Sequence, residues 1–213
     1  MRRRFSEQLM QLNTAMIRMG ALCEEAISIV AVALQAKPGD ESIRVRAIER
    51  EIDAMERDIE SLCLKLILQQ QPVAGDLRQI TTAMKMITDL ERIGDQCADI
   101  AEILAERAGE TIDIEGKLAA MAKESGIMVT ESVEAFVHKD INRAQWVVDR
   151  DQVVDDFFRD IKLNLSKQFC CEENGEMAMD MLMVAKYLER IGDHAVNVAQ
   201  WVIYAVTGEH RGE

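Results

Sequence analysis

The chain has 213 residues, 48% of them hydrophobic and only 4% aromatic, and it contains just two prolines. This composition favours an all-helical protein with a proper hydrophobic core and excludes global disorder. The formal net charge of −13 argues against binding to nucleic acid, because a phosphate backbone attracts clustered cations.

The first half of the chain reads as three long helices. Apolar residues recur every three or four positions from Phe5 onward, which is the pattern of a helix with one buried face. Pro38 should end the first helix and Pro72 the second, because proline cannot continue a helix. The third helix should run from about Ala74 to Arg107.

The second half repeats this plan. Its apolar periodicity predicts a fourth helix from about Ile114 to His138 and a fifth that starts after Asp140. The sixth helix should extend to about Val206. Three long helices with short connections fold back on one another as an up-down-up bundle.

One six-residue segment, LERIGD, occurs twice, at Leu90–Asp95 and at Leu188–Asp193. An identity of this length near half the chain length indicates a duplicated domain. We therefore expect an all-α fold of two tandem three-helix bundles related by internal duplication, residues 1–109 and 110–213.

Each LERIGD copy places a Glu and an Asp on adjacent turns of one helix face, and the preceding helix of each half carries an acidic pair at the same spacing. If these helices pack antiparallel, carboxylates face each other, which is unfavourable unless a cation lies between them. Oxygen ligands suit Mg²⁺, Mn²⁺ or Ca²⁺, and carboxylates also bridge iron. The candidate ligands, including one residue a turn beyond each LERIGD, are Glu49, Asp53, Glu91, Asp95, Asp99, Asp151, Asp155, Glu189, Asp193 and Asn197.

Two other interpretations of these residues remain open. The acids can form a solvated face that is neutralised by Arg50, Arg92, Arg150 and Arg190. The mid-helix glycines of LERIGD, Gly94 and Gly192, disfavour a helix by about 1 kcal/mol each. Either a ligand or metal approaches them closely, or two helices pack tightly there. His194, which follows Asp193, is a further possible ligand.

The cysteines and the termini indicate a cytoplasmic protein. Cys23, Cys63 and Cys97 fall in phase with apolar neighbours, the cysteine count is odd and no Cys-x-x-Cys occurs. These residues read as reduced core thiols. The N-terminus does not resemble a signal peptide, and the most apolar run, 26–36, is too short to cross a bilayer.

No motif points to catalysis. The chain contains no Glu-x-x-His, P-loop, dinucleotide fingerprint or nucleophile elbow. We therefore expect a protein that is not an enzyme. The alternatives are a carboxylate-bridged metalloenzyme and a purely structural helical bundle.

The motifs together resemble the PhoU family of phosphate-uptake and phosphate-signalling regulators. The resemblance is carried by QQPVAGDLR at Gln70–Arg78, by the two LERIGD segments and by the acidic pairs on the second and fifth helices. It covers essentially the whole chain. The family fold that it implies is a tandem pair of three-helix bundles.

The resemblance also implies a function. Members of the family act in the cytoplasm as negative regulators of the phosphate regulon and of high-affinity phosphate uptake. The implied partners are the nucleotide-binding subunit of the phosphate ABC transporter, the phosphate-sensing histidine kinase and a second copy of the chain as a homodimer. These partners would bring the protein to the inner membrane. Some members bind iron, zinc or other divalent ions such as Mg²⁺ and Mn²⁺ through the Glu/Asp-x-x-x-Asp motifs.

The second half departs from the first in two ways. It has no counterpart of the Gln70–Pro72 segment, since the corresponding loop is Cys170–Glu173. Asn197 stands where the first half has Asp99, which makes the second half less anionic. We therefore expect the second cation site to be the weaker one.

Overall fold

Six α-helices dominate the computed structural model, which describes residues 2–35, 40–70, 72–107, 110, 112–168 and 175–209. They are α1 (Arg2–Gln35), α2 (Glu41–Gln70), α3 (Ala74–Glu106), α4 (Lys117–His138), α5 (Ile141–Gln168) and α6 (Gly175–Thr207). The described ranges contain no strand, which confirms the all-α prediction. None of these helices combines the length and apolarity needed to cross a membrane.

Most helix boundaries lie close to their predicted positions. Pro72 separates α2 from α3, and α3 ends one residue before Arg107. The start of α5 is fixed by Asp140, whose Oδ1 accepts hydrogen bonds from the backbone N–H groups of Asn142 and Arg143 at 3.0 and 3.1 Å. The predicted boundaries at residues 37–39 and 109, and the loop at 169–174, lie outside the described residues.

The start of α4 differs from the prediction. The helix begins at Lys117, three residues after Ile114. Gly116 adopts a left-handed conformation with φ of 76°, which interrupts a right-handed helix. Asp113 caps the helix through a 2.8 Å hydrogen bond from the backbone N–H of Leu118 to its Oδ1. Ile114 is buried in the turn before the helix. It therefore fits the apolar pattern because it contributes to the core, although it is not part of α4.

The two bundles lie side by side and share one continuous core. Within each bundle the three helices contact one another, and between the bundles α1 packs against α4 and α3 against α6. The helices form two layers, a row in the order α2, α3, α6, α5 and a pair, α1 and α4, that covers it. The acidic helices are therefore neighbours in one layer.

A pair of equivalent hydrogen bonds holds the first helix of each bundle to the LERIGD helix. The Cys23 thiol donates to the carbonyl oxygen of Leu90 at 3.4 Å, and the Ser125 hydroxyl donates to that of Leu188 at 3.2 Å. Burial raises the pKa of Cys23 to about 12, so it stays a thiol. As predicted, Cys23, Cys63 and Cys97 are free and buried, whereas Cys170 and Cys171 lie outside the described part of the chain.

Both LERIGD glycines allow helices to pack closely. A Cβ at Gly94 would lie 3.1 Å from Cδ1 of Ile52 on α2, and a Cβ at Gly192 would lie 3.3 Å from Cγ1 of Val154 on α5. Ile52 and Val154 are themselves fully buried. These contacts support tight helix packing at both glycines, and at Gly192 a carboxylate oxygen of the predicted ligand Asp151 also approaches, 3.4 Å from the position of a Cβ.

Replacing Gly94 by Leu should lower the free energy of unfolding by about 1–3 kcal/mol, because the new side chain must displace Ile52 from the contact between α2 and α3. Urea denaturation measures this change. Gly75→Leu is the matched control in the same helix, since a Cβ at Gly75 meets nothing within 4 Å. Equal stability of the two variants would contradict the packing role of Gly94.

Candidate metal-binding sites

The first acidic cluster lies where α2 packs antiparallel against α3. One carboxylate oxygen from each of Glu49, Asp53 and Asp95 lies within 4.8 Å of the other two. All three residues are half-buried. Three carboxylate oxygens on such a scale match the donor set of a hard cation such as Mg²⁺ or Mn²⁺, so the residues fit the ion that the sequence predicts.

The charges in this cluster are poorly compensated. The pKa of Glu49 is raised by partial burial first and then by the negative charges of Asp53 and Asp95. The pKa of Glu91 is raised by the same two effects, burial and then the charge of Asp95. A raised carboxyl pKa means that the ionised form is disfavoured, and a bound cation would remove that penalty.

Glu56 is an additional member of the first cluster that the sequence interpretation missed. It lies three residues after Asp53 on α2, and its pKa is raised by partial burial first and then by the negative charge of Asp53, whereas the Thr88 side chain lowers it. Its charge also contributes to the raised pKa of Glu91. The duplicated acidic pairs do not include Glu56, because the equivalent residue in the second bundle is Phe158.

Arginines neutralise part of the first cluster. Nη1 of Arg92 lies 2.9 Å from Oδ2 of Asp95, and its Nε lies 3.4 Å from Glu91. The Arg92 side chain is 55% exposed, and exposed ion pairs contribute little, typically about 0–1 kcal/mol. Arg150, in contrast, bonds to Glu124 on α4 at 2.7 Å. The alternative of a salt-bridged acidic face therefore applies in part, through Arg92 and through Arg50, whose positive charge lowers the pKa of Glu49.

The second cluster lies where α5 packs against α6. The pKa of Asp151 is raised to about 6, by burial first and then by the charges of Asp155, Asp193 and Glu189. All four predicted acids of this half thus act on one another. Among the described residues, however, only Glu49, Asp53 and Asp95 bring three ligand oxygens within 4.8 Å.

An ammonium group distinguishes the second cluster from the first. Lys186 forms an ion pair with Glu189 and lies over the ring of Phe158, 5.5 Å from its centroid. Relative to LERIGD, Lys186 occupies the position of Thr88 in the first half. The second cluster therefore has fewer carboxylates, and the ammonium group of Lys186 neutralises one of them. Both differences favour the prediction that it is the weaker site.

Asp99 and Asn197 lie at the contact between α3 and α6. The Asn197 side-chain amide donates to Oδ1 of Asp89 at 3.1 Å, and Nδ1 of His194 lies 2.9 Å from the same oxygen. The pKa of Asp99 is raised by partial burial first and then by the negative charges of Asp95 and Glu102, and the Tyr187 side chain on α6 acts in the opposite direction. His194 and the Asn197 amide nitrogen thus contact Asp89 of the first bundle and not the carboxylates of the second cluster.

Fold and site together define a class of protein: a duplicated pair of three-helix bundles with an acidic cluster at the same place in each. The family model described as the PhoU domain matches residues 16–104 and 118–202. The chain belongs to the PhoU family.

Relatives match over nearly their whole length. A protein from Clostridium acetobutylicum is 36% identical over 215 residues, covering 98% of this chain and 96% of the relative. One from Synechocystis is 34% identical over 206 residues, covering 96% and 92%. Both are named phosphate-specific transport system accessory protein PhoU homolog.

Solved structures show the same fold. The crystal structure of PhoU from Pseudomonas aeruginosa aligns with a TM-score of 0.90 at 30% identity, covering 96% of this chain and all of that one. The phosphate transport system regulatory protein PhoU from Streptococcus pneumoniae also aligns with a TM-score of 0.90, at 24% identity. The second likeness supports the fold alone.

Asp151→Asn should stabilise the protein at pH 8 by on the order of 1 kcal/mol after allowance for solvent screening. The Asp151 pKa of about 6 in the folded protein lies above the ordinary 3.8, so the folded state holds this proton more tightly than the unfolded state. The contribution of Asp151 to stability should therefore fall as pH rises from about 4 through 6, and the variant should lose that part of the slope.

Urea denaturation across this pH range, in the presence of a chelator, tests the Asp151 prediction. Asp156→Asn, an exposed aspartate on the same helix, is the control and should keep the slope. If the dependence of stability on pH is unchanged in the Asp151 variant, Asp151 is not repelled by the other carboxylates of the second cluster.

Lys186→Thr should raise the affinity of the second cluster for Mn²⁺ by roughly tenfold, because it removes the ammonium that is paired with Glu189 and installs the residue of the first bundle. Isothermal titration calorimetry of the variant measures this. Lys162→Thr, on the exposed side of α5, controls for the loss of one positive charge. The same gain in both variants would show that only net charge matters.

Proposed function

We propose that the protein is a cytoplasmic regulator of phosphate homeostasis, which represses the phosphate regulon and restrains high-affinity phosphate uptake. It acts through protein contacts and without catalysing a reaction. The observation that carries the proposal is the full-length match to phosphate-specific transport system accessory proteins, in a chain whose duplicated fold and acidic clusters are intact.

The proposed partners are the nucleotide-binding subunit of the phosphate ABC transporter and the phosphate-sensing histidine kinase. Both would recruit the protein to the inner face of the membrane, and we propose that it acts as a homodimer. The row of α2, α3, α6 and α5 supports docking, because it offers a broad and rigid surface on which both acidic clusters lie.

We further propose that the acidic clusters bind divalent or iron-type cations, such as Fe, Zn, Mg²⁺ or Mn²⁺. Glu49, Asp53 and Asp95 would contact the ion in the first bundle, with Glu56, Glu91 and Asp99 beside them. Asp151, Asp155, Glu189 and Asp193 would form the second site. A bound cation supplies positive charge that removes the carboxylate repulsion and changes the charge of the face presented to a partner.

Deletion of the gene should release alkaline phosphatase expression in medium with high phosphate, because the proposed repression is lost. Enzyme assays on the deletion strain and on a complemented strain measure this. A complementing copy with Asp53→Asn and Asp95→Asn tests whether the first cluster is needed. Continued repression in the deletion strain would contradict the proposed function.

The double variant Asp53→Asn, Asp95→Asn should weaken Mn²⁺ binding by on the order of 100-fold, because it replaces two of the three clustered carboxylates by neutral amides. The matched variant Asp155→Asn, Asp193→Asn in the second bundle should leave the tightest binding step unchanged. Titration calorimetry and elemental analysis of gently purified protein provide the measurement. The opposite ranking would show that the second cluster is the stronger site.

A further inference from the structure

Three helix segments meet at one end of the first bundle. The start of α1 lies beside the start of α3, since the side-chain amide of Gln79 donates to Oδ1 of Asn13 at 3.2 Å. Met10 of α1 and Leu62, near the end of α2, line a common groove. The start of α1, the end of α2 and the start of α3 therefore form one tip, the first-bundle tip, which comprises residues 2–12, 61–70 and 72–78.

The first-bundle tip projects beyond the second bundle. Gly20 of α1 packs against α4, and a Cβ on this glycine would lie 2.9 Å from Cγ2 of Val133. Since α4 runs antiparallel to α1 and ends at His138, α1 extends past it toward the tip. α6 ends beside Arg78, because a Cβ on the Gly208 that follows the helix would lie 3.3 Å from Nη1 of that arginine. In the described part of the chain, these helices of the second bundle therefore end before the tip.

Large apolar side chains are exposed at this tip. Leu68 is 79% exposed, Val73 74% and Met10 67%, which places all three among the four most exposed large apolar residues of the described ranges. Leu64 and Leu77 are exposed as well. Leu64 lies one turn from Leu68 on α2, and Val73 and Leu77 have the same spacing at the start of α3. Exposed apolar groups gathered in this way are typical of a site that contacts a protein or a membrane.

The first-bundle tip is basic, although the chain as a whole is acidic. Its sequence holds five Lys or Arg and two Asp or Glu, whereas the whole chain holds 25 and 38. The side chains of Arg4 and Lys65 are exposed. The equivalent connection of the second bundle, residues 169–176, contains three Glu and no basic residue. Charge therefore distinguishes the first-bundle tip from the rest of the molecule.

We propose that the first-bundle tip binds to the surface of a bilayer that contains anionic phospholipids. The lipid phosphates attract Arg4 and Lys65, while Leu68 and Val73 enter the boundary between the headgroups and the acyl chains. Each basic residue near such a surface strengthens binding by roughly fivefold. None of the described helices can cross a membrane, so the contact is confined to the interface.

The shape of the tip favours lipid over a peptide partner. Its exposed aliphatic side chains come from α1, α2 and α3 and surround a projecting end. A helical peptide, in contrast, is recognised by an apolar groove that holds one row of its side chains. A fluid lipid surface adapts to a convex tip without such a groove.

The acidic clusters do not oppose this contact. The rise of a helix places Leu64 about 17 Å from Asp53 along α2. The Debye length at physiological ionic strength is about 8 Å, so salt screens the repulsion between the first cluster and a lipid surface at the tip. The remaining negative charge of the molecule disfavours binding through any other face. The protein should therefore bind by this end, with both acidic clusters directed away from the lipid.

Flotation with lipid vesicles tests this inference. Vesicles of phosphatidylglycerol and phosphatidylcholine in equal parts should carry the unaltered protein, and vesicles of phosphatidylcholine alone should carry much less. Leu68→Asp with Val73→Asp should weaken binding by on the order of 100-fold, because it removes two aliphatic contacts and adds two negative charges. The matched control is Leu163→Asp with Met179→Asp, which alters exposed aliphatic residues of the second bundle and should leave binding unchanged.

Two results of the flotation experiment would overturn the inference. One is that the unaltered protein binds neither kind of vesicle, or binds both equally. The other is that the two double variants lose binding to the same extent. Circular dichroism of each variant confirms that it is folded, which is expected because all four substituted side chains are exposed.

A fluorescent reporter provides a second measurement. In Val73→Trp, addition of the anionic vesicles should shift the emission of the new indole to shorter wavelength, because the ring enters a less polar environment. Leu163→Trp is the matched reporter on the second bundle and should show no shift. The emission of the two native tryptophans is subtracted with the unaltered protein. Lys65→Gln should weaken binding roughly fivefold and reduce its dependence on salt. Vesicle binding without a shift in Val73→Trp would contradict docking by the tip.

The outcomes separate this inference from the proposed function. The inference goes beyond the proposed regulation and depends neither on the cation sites nor on the proposed partners. If Leu68→Asp with Val73→Asp fails to restore repression in the deletion strain, while the unaltered protein does not bind vesicles, the tip contacts a protein and the lipid inference is overturned. If the deletion leaves repression intact while the vesicle results are as expected, only the proposed regulation fails.

Discussion

Two close helix contacts fix where the acidic residues of this protein lie. Ile52 packs onto Gly94 and Val154 onto Gly192, so closely that a Cβ on either glycine would lie 3.1 or 3.3 Å from the neighbouring side chain and push it aside. Burial of these apolar side chains draws α2 onto α3 and α5 onto α6. The acidic pairs on the four helices must follow, and in the first bundle this brings carboxylate oxygens of Glu49, Asp53 and Asp95 within 4.8 Å of one another despite their mutual repulsion. Hydrophobic packing thus brings the carboxylates of each bundle together, and their shared negative charge is the property on which the proposed cation binding depends.

The two copies of this arrangement have diverged in charge. In the first bundle, Glu56 extends the cluster and the neighbouring Thr88 is neutral, whereas the second bundle has Phe158 and Lys186 at these places. In the core, by contrast, the contact is kept although the residue differs, because Cys23 in one bundle and Ser125 in the other donate to the equivalent leucine carbonyl. The two bundles therefore keep equivalent contacts to the backbone, whereas their acidic clusters differ: the first has more carboxylates and the second is partly neutralised by a lysine.

Periodicity could predict the six helices and their order, because each helix buries one apolar face and prolines or turn residues separate them. It could also pair the acids of α2 with those of α3, since consecutive antiparallel helices are neighbours. Periodicity could not predict the contacts between helices that are not consecutive in the chain. The packing of α1 on α4 and α3 on α6 directs His194 and Asn197 to Asp89, which no spacing reveals. Glu56 was not predicted because the equivalent residue of the second bundle is not acidic. The start of α4 is later than predicted because Gly116 and Asp113 set the first residue of the helix, although the apolar pattern begins before it.

Close packing at Gly94 assembles the proposed cation site from Glu49, Asp53 and Asp95. Anomalous diffraction from crystals of the protein soaked in Mn²⁺ can locate an ion at this site. We expect an anomalous peak in contact with carboxylate oxygens of these three residues, stronger than any peak beside Asp151 and Asp193. A saturating soak that leaves no peak at the first cluster, with its side chains turned apart toward solvent, would contradict it.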